Sequence, residues 1–322
     1  KVKSPLELLS ICGPKFTGVL LARFFDIAFE ALQQLEPVGS GDEQVFGLDL
    51  LKMDSRPYSA LIRLSIANSL AAMGARLEED RDPGQRTIQG RIQRLISGLM
   101  AQMDLQKWKS LGNLLPLLAE AAPGTFLTAL EKSLDVDSES PESLIRATDR
   151  SARWHAGLLY ALEILAWNPA NLGRVVQILA RLSEIPIQGN WGNSPQNSLN
   201  EILRSWSPQT SADVKARVKA LDMLSRTYPA SAMRVVSSML FGGQQVRLPT
   251  ARPRWRTDAY GGRQFATEND INEVLNAAER LALRLASQDP ERIGVLLDST
   301  YFRELENIEK LMPIIRSLAS RN

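Results

Sequence analysis

Cysteine and histidine each occur once in 322 residues, as Cys12 and His155. A single thiol excludes an intrachain disulfide, and the two together cannot furnish a zinc site built on His and Cys. The His-Glu-x-x-His pattern is absent, as are the phosphate-binding Gly-x4-Gly-Lys-Ser/Thr loop and the Gly-x-Ser-x-Gly nucleophile elbow. No Gly-x-Gly-x-x-Gly follows a strand-like segment. The sequence therefore predicts no catalytic residue, no metal and no cofactor. Aromatic residues make up only 6% of the chain, and neither Asn-Gly nor Asp-Gly occurs, so hairpins and strands have little support. No apolar run reaches the roughly 18–20 residues of a membrane span. The best candidate, residues 18–31, is interrupted by Arg23, Asp26 and Glu30. A net charge of +2 creates no global field for nucleic acid or anionic lipid, so any such binding needs a local patch. With no signal-peptide pattern, these features predict a cytoplasmic protein without a membrane partner.

Helical periodicity is what the sequence has in quantity. Phe16, Val19, Leu20, Phe24, Ile27, Ala28, Ala31 and Leu35 recur at steps of three and four, the signature of an amphipathic helix. Leu61, Leu64, Ile66, Leu70 and Met73 do the same, as do Ile88, Ile92, Leu95, Ile96, Leu99 and Met103. A recurrent breaker organises these helices. Pro123, Pro169, Pro229 and Pro290 each have an aliphatic residue five positions before (Leu118, Ile164, Leu224, Leu285). Each has another seven positions after (Leu130, Val176, Val236, Leu297). Proline suits the first helical position and forces its predecessor out of helical geometry, so each instance ends one helix and starts the next. Asn168 and Asp289 are good N-caps for the second helix. Each unit reads as a tight αα-hairpin. The prolines are 46, 60 and 61 residues apart, which predicts an irregular, TPR- or HEAT-like solenoid in an all-α fold.

The expected organisation is an N-terminal helical array or bundle over 1–134, an acidic linker at 135–148 and a helical-repeat domain over 149–322. Two long loops interrupt the last, at 183–197 and 242–267. The start at Lys1 and the end in helical sequence suggest a segment of a longer protein.

Few residues invite a chemical role. Cys12 lies in an apolar stretch and reads as a structural thiol. His155 opens an apolar helix with Glu163 eight residues on; a buried, hydrogen-bonded imidazole is the better reading than a general base. Asp135, Asp137, Glu139 and Glu142 mimic a calcium loop without its central glycine, and read as solvated linker. The unusual string is 247–256, with Arg247, Arg252, Arg254 and Arg256 around Trp255 and two prolines, and no acid. Prolines keep it extended, and Arg and Trp are enriched at binding hot spots. Three roles stay open for it: docking on its own helices, protein recognition, or gripping phosphates with Trp255 stacked on a base. Trp191 and Asn190, in a Gly-Asn-Trp-Gly turn, are further contact candidates. Trp154 and Trp167 lie on apolar helices and read as core.

The segment 154–182, opening Trp154-His155 and running through Trp167-Asn168-Pro169, resembles the helical C-terminal sensor region of bacterial antiviral (Avs-type) STAND ATPases. The likeness continues through Gly189-Asn190-Trp191-Gly192, Ser205-Trp206-Ser207-Pro208 and residues 249–256, covering roughly 150–300. In that family an effector and an ATPase module precede a sensor that recognises a phage protein. The resemblance thus implies a non-catalytic recognition segment whose partners are a phage protein and the remaining domains of its own chain. A nucleic-acid-binding helical repeat using the Arg/Trp string is the alternative.

Overall fold

The computed structural model describes residues 5–35, 57–79, 83–101, 103–135, 141–146, 154–186, 192–241, 248–256 and 266–320. It is all-helical, with no strand among the described residues. The chain folds into two compact units. The first comprises Lys1–Leu165, Ile187–Asn190 and Pro253–Thr257; the second comprises Ala166–Pro186, Trp191–Arg252 and Asp258–Asn322. The main division thus falls near residue 165, and the acidic stretch 135–148 expected to separate two domains lies inside the first unit.

The first unit carries α1 (Pro5–Cys12), α2 (Gly18–Leu32), α3 (Ala60–Glu79), α4 (Pro83–Leu99), α5 (Leu105–Leu111), α6 (Leu115–Ala121), α7 (Pro123–Leu134), α8 (Glu142–Arg146) and nearly all of α9 (Trp154–Ala166). The second carries α10 (Pro169–Ser183), α11 (Pro195–Leu203), α12 (Val214–Thr227), α13 (Pro229–Met239), α14 (Glu268–Gln288), α15 (Glu291–Leu297), α16 (Thr300–Arg303) and α17 (Leu305–Ala319).

All four proline breaks are present. Ala122 (φ −148°, ψ 78°), Asn168 (−83°, 121°), Tyr228 (−132°, 72°) and Asp289 (−150°, 112°) leave helical geometry, as the pyrrolidine ring demands of its predecessor. Pro123, Pro169 and Pro229 each open a helix, while Pro290 stands one residue ahead of α15. Asn168 caps α10 by accepting the Ala170 N–H at 3.0 Å, and Asp289 accepts from Glu291 at 3.1 Å. The aliphatic residues flanking the breaks are core: Leu118, Leu130, Val176, Leu224, Val236 and Leu285 are at most 1% exposed, and Ile164 is also buried. Leu297, on the short α15, differs, at 37% exposed. Helices pack across three of these breaks, α6 on α7, α12 on α13 and α14 on α15.

Within the first unit the tightest packing is α3 against α6. A Cβ on Gly74 would sit 2.1 Å from the Ala121 carbonyl oxygen, so the two backbones touch there with no room for a side chain. Gly157 of α9 makes a similar approach, its virtual Cβ 1.8 Å from the Gly112 oxygen. Trp108, Leu115, Phe126 and Leu127 fill the surrounding core. The buried Arg63 closes the end of α2. Its guanidinium donates to the carbonyls of Ala31 (3.1 Å), Leu32 (3.4 Å), Gln34 (3.2 Å) and Ser110 (3.1 Å), satisfying acceptors that a helix end leaves orphaned. The apolar stripes of α2 and α3 are only partly buried: Val19 is 80% exposed, Leu20 58% and Leu61 72%, while Phe25, Ala28, Leu70 and Ala71 supply the core. Cys12 is half-buried.

In the second unit Arg217 is buried on α12 and donates to the carbonyls of Arg204 (3.3 Å) and Ser205 (3.4 Å). Burial lowers its pKa from the ordinary value, against the opposing pull of Asp270, Asp213 and Glu273. Glu201 and Arg204 form a bidentate buried pair at the end of α11. Thr267 and Asp270 make a reciprocal capping box at the start of α14, which runs to Gln288. Near the C-terminus the Tyr301 hydroxyl donates to Glu279 at 2.9 Å, and Lys310 pairs with the same carboxylate at 2.6 Å.

Two predictions follow from this packing. Gly74→Ala should destabilise the first unit by about 3 kcal/mol, since an overpacked backbone contact cannot relax through a side chain. Gly294→Ala, where a Cβ meets nothing within 4 Å, should be neutral or stabilising by about 0.5–1 kcal/mol. Thermal melts of the two variants beside the parent chain check this. Burial, then the bond to Glu279, pushes the Tyr301 phenol up to about 12. A raised pKa means the folded state keeps a proton that the unfolded chain loses near pH 10, so this stabilisation is complete below pH 10 and disappears between pH 10 and 12. Tyr301→Phe should therefore flatten that part of the stability–pH curve, measured by urea unfolding at pH 9, 10 and 11.

Candidate functional site

The residues 248–256 form a non-helical strap with a bend at Arg254 and Trp255, in keeping with Pro249 and Pro253. Its first half belongs to the second unit and its last four described residues to the first. In the second unit the Trp167 indole N–H donates to the Ala251 carbonyl at 3.0 Å, and the Arg252 guanidinium lies 4.6 Å over the Trp167 ring. Trp167 is itself held by the turn at 205–210. Ser211 donates its N–H to the Trp167 carbonyl at 3.1 Å, and the Thr210 hydroxyl donates to the Ala166 carbonyl at 2.6 Å.

In the first unit a single carboxylate anchors the strap. Glu120, 1% exposed on α6, accepts the backbone N–H groups of Trp255 and of Arg256, the latter at 2.9 Å. The Arg256 Nε returns a hydrogen bond of 2.6 Å to the Glu120 carbonyl, and its Nη2 reaches the Gly74 carbonyl at 3.5 Å. The buried carboxylate is met by two backbone N–H groups and the buried guanidinium by two backbone carbonyls, so each charge has hydrogen-bond partners. The strap's two backbone donors would otherwise be orphaned beside apolar helices; Glu120 supplies the acceptor that a non-helical segment lacks. Trp255 is 9% exposed and Arg256 6%. Arg254 points outward, its guanidinium 4.9 Å over the Trp255 ring and bonded to Asn68 Oδ1 at 3.3 Å.

Of the residues singled out in the sequence, Arg252 and Arg254 are exposed and lie on indole faces, whereas Trp255 and Arg256 are interior. Arg247, Asn190 and Trp191 lie outside the described residues. His155 and Glu163 are buried on α9. Asp135 is exposed, Glu142 pairs with Arg146 at 3.3 Å, and Asp137 and Glu139 fall outside the described residues. No cluster of three metal-ligating side chains occurs among the described residues, nor is any helix among them long and apolar enough to cross a membrane.

Sequence reading passed over Glu120. The signal was present: it is the only charged residue between Lys109 and Glu131, in an otherwise apolar run that ends at Pro123. A lone acid on an apolar helix must find a donor, and the Arg-rich string was the unmatched source of donors. No family model, curated protein or solved structure matches the chain.

Glu120→Ala removes one acceptor from two buried N–H groups and should cost about 2–4 kcal/mol. Glu120→Gln, which keeps an acceptor oxygen, should cost less than half of that. Amide hydrogen exchange at Trp255 and Arg256 reads the strap directly, and should accelerate strongly in Glu120→Ala while the amides of α12 keep their protection.

Proposed function

We propose that this chain is a non-catalytic protein-recognition segment, an irregular array of αα-hairpins that serves as the sensor or scaffold part of a larger bacterial antiphage STAND ATPase. Its partner would be a phage protein in the cytoplasm, and its other contacts the remaining domains of its own chain. The observation that carries the recognition reading is the state of Arg252 and Arg254. Each is exposed, yet each guanidinium is laid on a tryptophan face in a segment whose neighbours are buried. A long side chain already ordered in the free protein loses little entropy on binding, which is the condition of an arginine hot spot. Helices packed across the proline breaks support the hairpin array, and the likeness of residues 150–300 to the STAND sensors supports the biological setting. Trp255 is buried beneath Arg254, so the alternative in which it stacks on a base would require the strap to leave Glu120.

An affinity capture with the 322-residue chain, from phage-infected and uninfected lysates and with nuclease treatment, tests the reading. We expect one dominant phage protein that survives nuclease and falls at least tenfold with Arg252→Ala or Arg254→Ala. Recovery that vanishes with nuclease would transfer the function to nucleic acid. Equal recovery by the variants would remove these two arginines from the site.

A further inference from the structure

The first unit holds an open apolar trough of about 660 Å³, within the size range of ligand-binding clefts. Phe16, Leu20 and Phe24 form one wall at steps of four along α2 and the residue leading into it; Leu64, Ala72 and Met73 of α3 form the other, and Trp255 closes the trough. These walls belong to the apolar stripes of two amphipathic helices, and part of each stays exposed: Phe16 is 38%, Leu20 58% and Leu64 41% accessible, while Ala72 and Met73 are buried. Leu8 also lines the trough, at 46% exposed, and Ile11, Val19 and Leu61 are exposed apolar residues on the same helices, α1 to α3, at 63%, 80% and 72%. Apolar surface on this scale, concentrated on two adjacent helices, marks an interaction site rather than ordinary scatter.

The polar groups of the trough specify the occupant. Among the described residues Ser65, Asn68, Ser69 and Arg254 are the polar groups lining it, so the one charge among them is positive. Arg254 bonds to Asn68 and lies on Trp255, and meets no carboxylate among the described residues. Along α2 the wall from Leu20 to Phe24 rises by roughly 6 Å, about one helical turn, and Phe16 ahead of the helix extends it. We propose that the trough receives an amphipathic helix of a partner protein, its apolar residues at i, i+3 or i+4, and i+7 seated between α2 and α3, and a carboxylate near one end paired with Arg254. A second copy meeting this one through the same trough would bring another Arg254 and no carboxylate from the described lining, so self-association leaves that charge unanswered. The trough is open along its length with half-exposed walls, which suits a helix laid into a groove rather than an enclosed acyl chain. The inference rests on the protein-recognition reading, and locates a docking surface for it with a stated chemistry.

A displayed library of amphipathic helices, with fixed leucines at i, i+4 and i+7 and random flanking positions, is selected against the full chain. Expected binders carry Asp or Glu at one end. They should weaken about tenfold on Arg254→Glu and a hundredfold or more on Leu20→Asp or Leu64→Asp, whose exposed side chains leave the fold intact by circular dichroism. Selection against the Arg254→Glu chain should enrich Lys or Arg at the same end. The proposal is overturned if no helices are enriched, if the flanking charge is random, or if binders ignore Leu20→Asp. It is also overturned if the parent chain dimerises in sedimentation and Leu20→Asp abolishes the dimer, or if a fatty acid saturates the trough one to one and displaces no helix. Loss of this inference leaves the lysate capture untouched, and an empty lysate capture with acidic helices still selected would remove only the sensor assignment.

Discussion

A pyrrolidine ring clashes with a helical predecessor, and that local steric fact sets the plan of this molecule. Ala122, Asn168, Tyr228 and Asp289 all give up helical dihedrals to it. The next helix begins at the proline or one residue beyond, so each break consumes almost no chain. Around Pro123 and Pro229 the aliphatic residues on either side are all buried, and this joins sequence spacing to packing. With the dihedrals fixed at the break, α6 meets α7 and α12 meets α13, and the flanking residues Leu118 and Leu130, and Leu224 and Val236, are buried.

Charge holds the parts of the structure that periodicity cannot. Arg63 gathers carbonyls where α2 stops, Glu120 gathers amides where the strap arrives, and Arg217 gathers carbonyls beside α11. In each case an ion stands where backbone polar groups have no helical partner, and the alternative is a set of buried, unbonded amides. Such ions stabilise chiefly by preventing a larger loss, and they specify where an irregular segment lies.

This division explains what could be read from the chain beforehand. The helical class, the breaks and the flanking core residues depend on local sterics and on a period of 3.6, both visible in one dimension. Glu120 and Arg256 meet across 136 residues, so their pairing was legible only as two separate oddities, an acid in an apolar run and an arginine string without acids. The string's own ambiguity resolved residue by residue: Arg252 and Arg254 stay exposed, whereas Trp255 and Arg256 turn inward to Glu120, a choice made by a contact distant in sequence and not by local pattern. In α2 and α3 the periodicity identified an apolar face correctly but could not say whether the cover comes from this chain, and Leu20 and Leu61 stay exposed.

At Gly74 the separation of α3 and α6 is set by main-chain atoms, which every sequence shares, rather than by side chains that drift. Side chains around the crossing can exchange methyl groups over evolutionary time and the two axes will keep their distance. The crossing is a fixed gauge in the first unit, and hydrostatic compression will find its slack elsewhere.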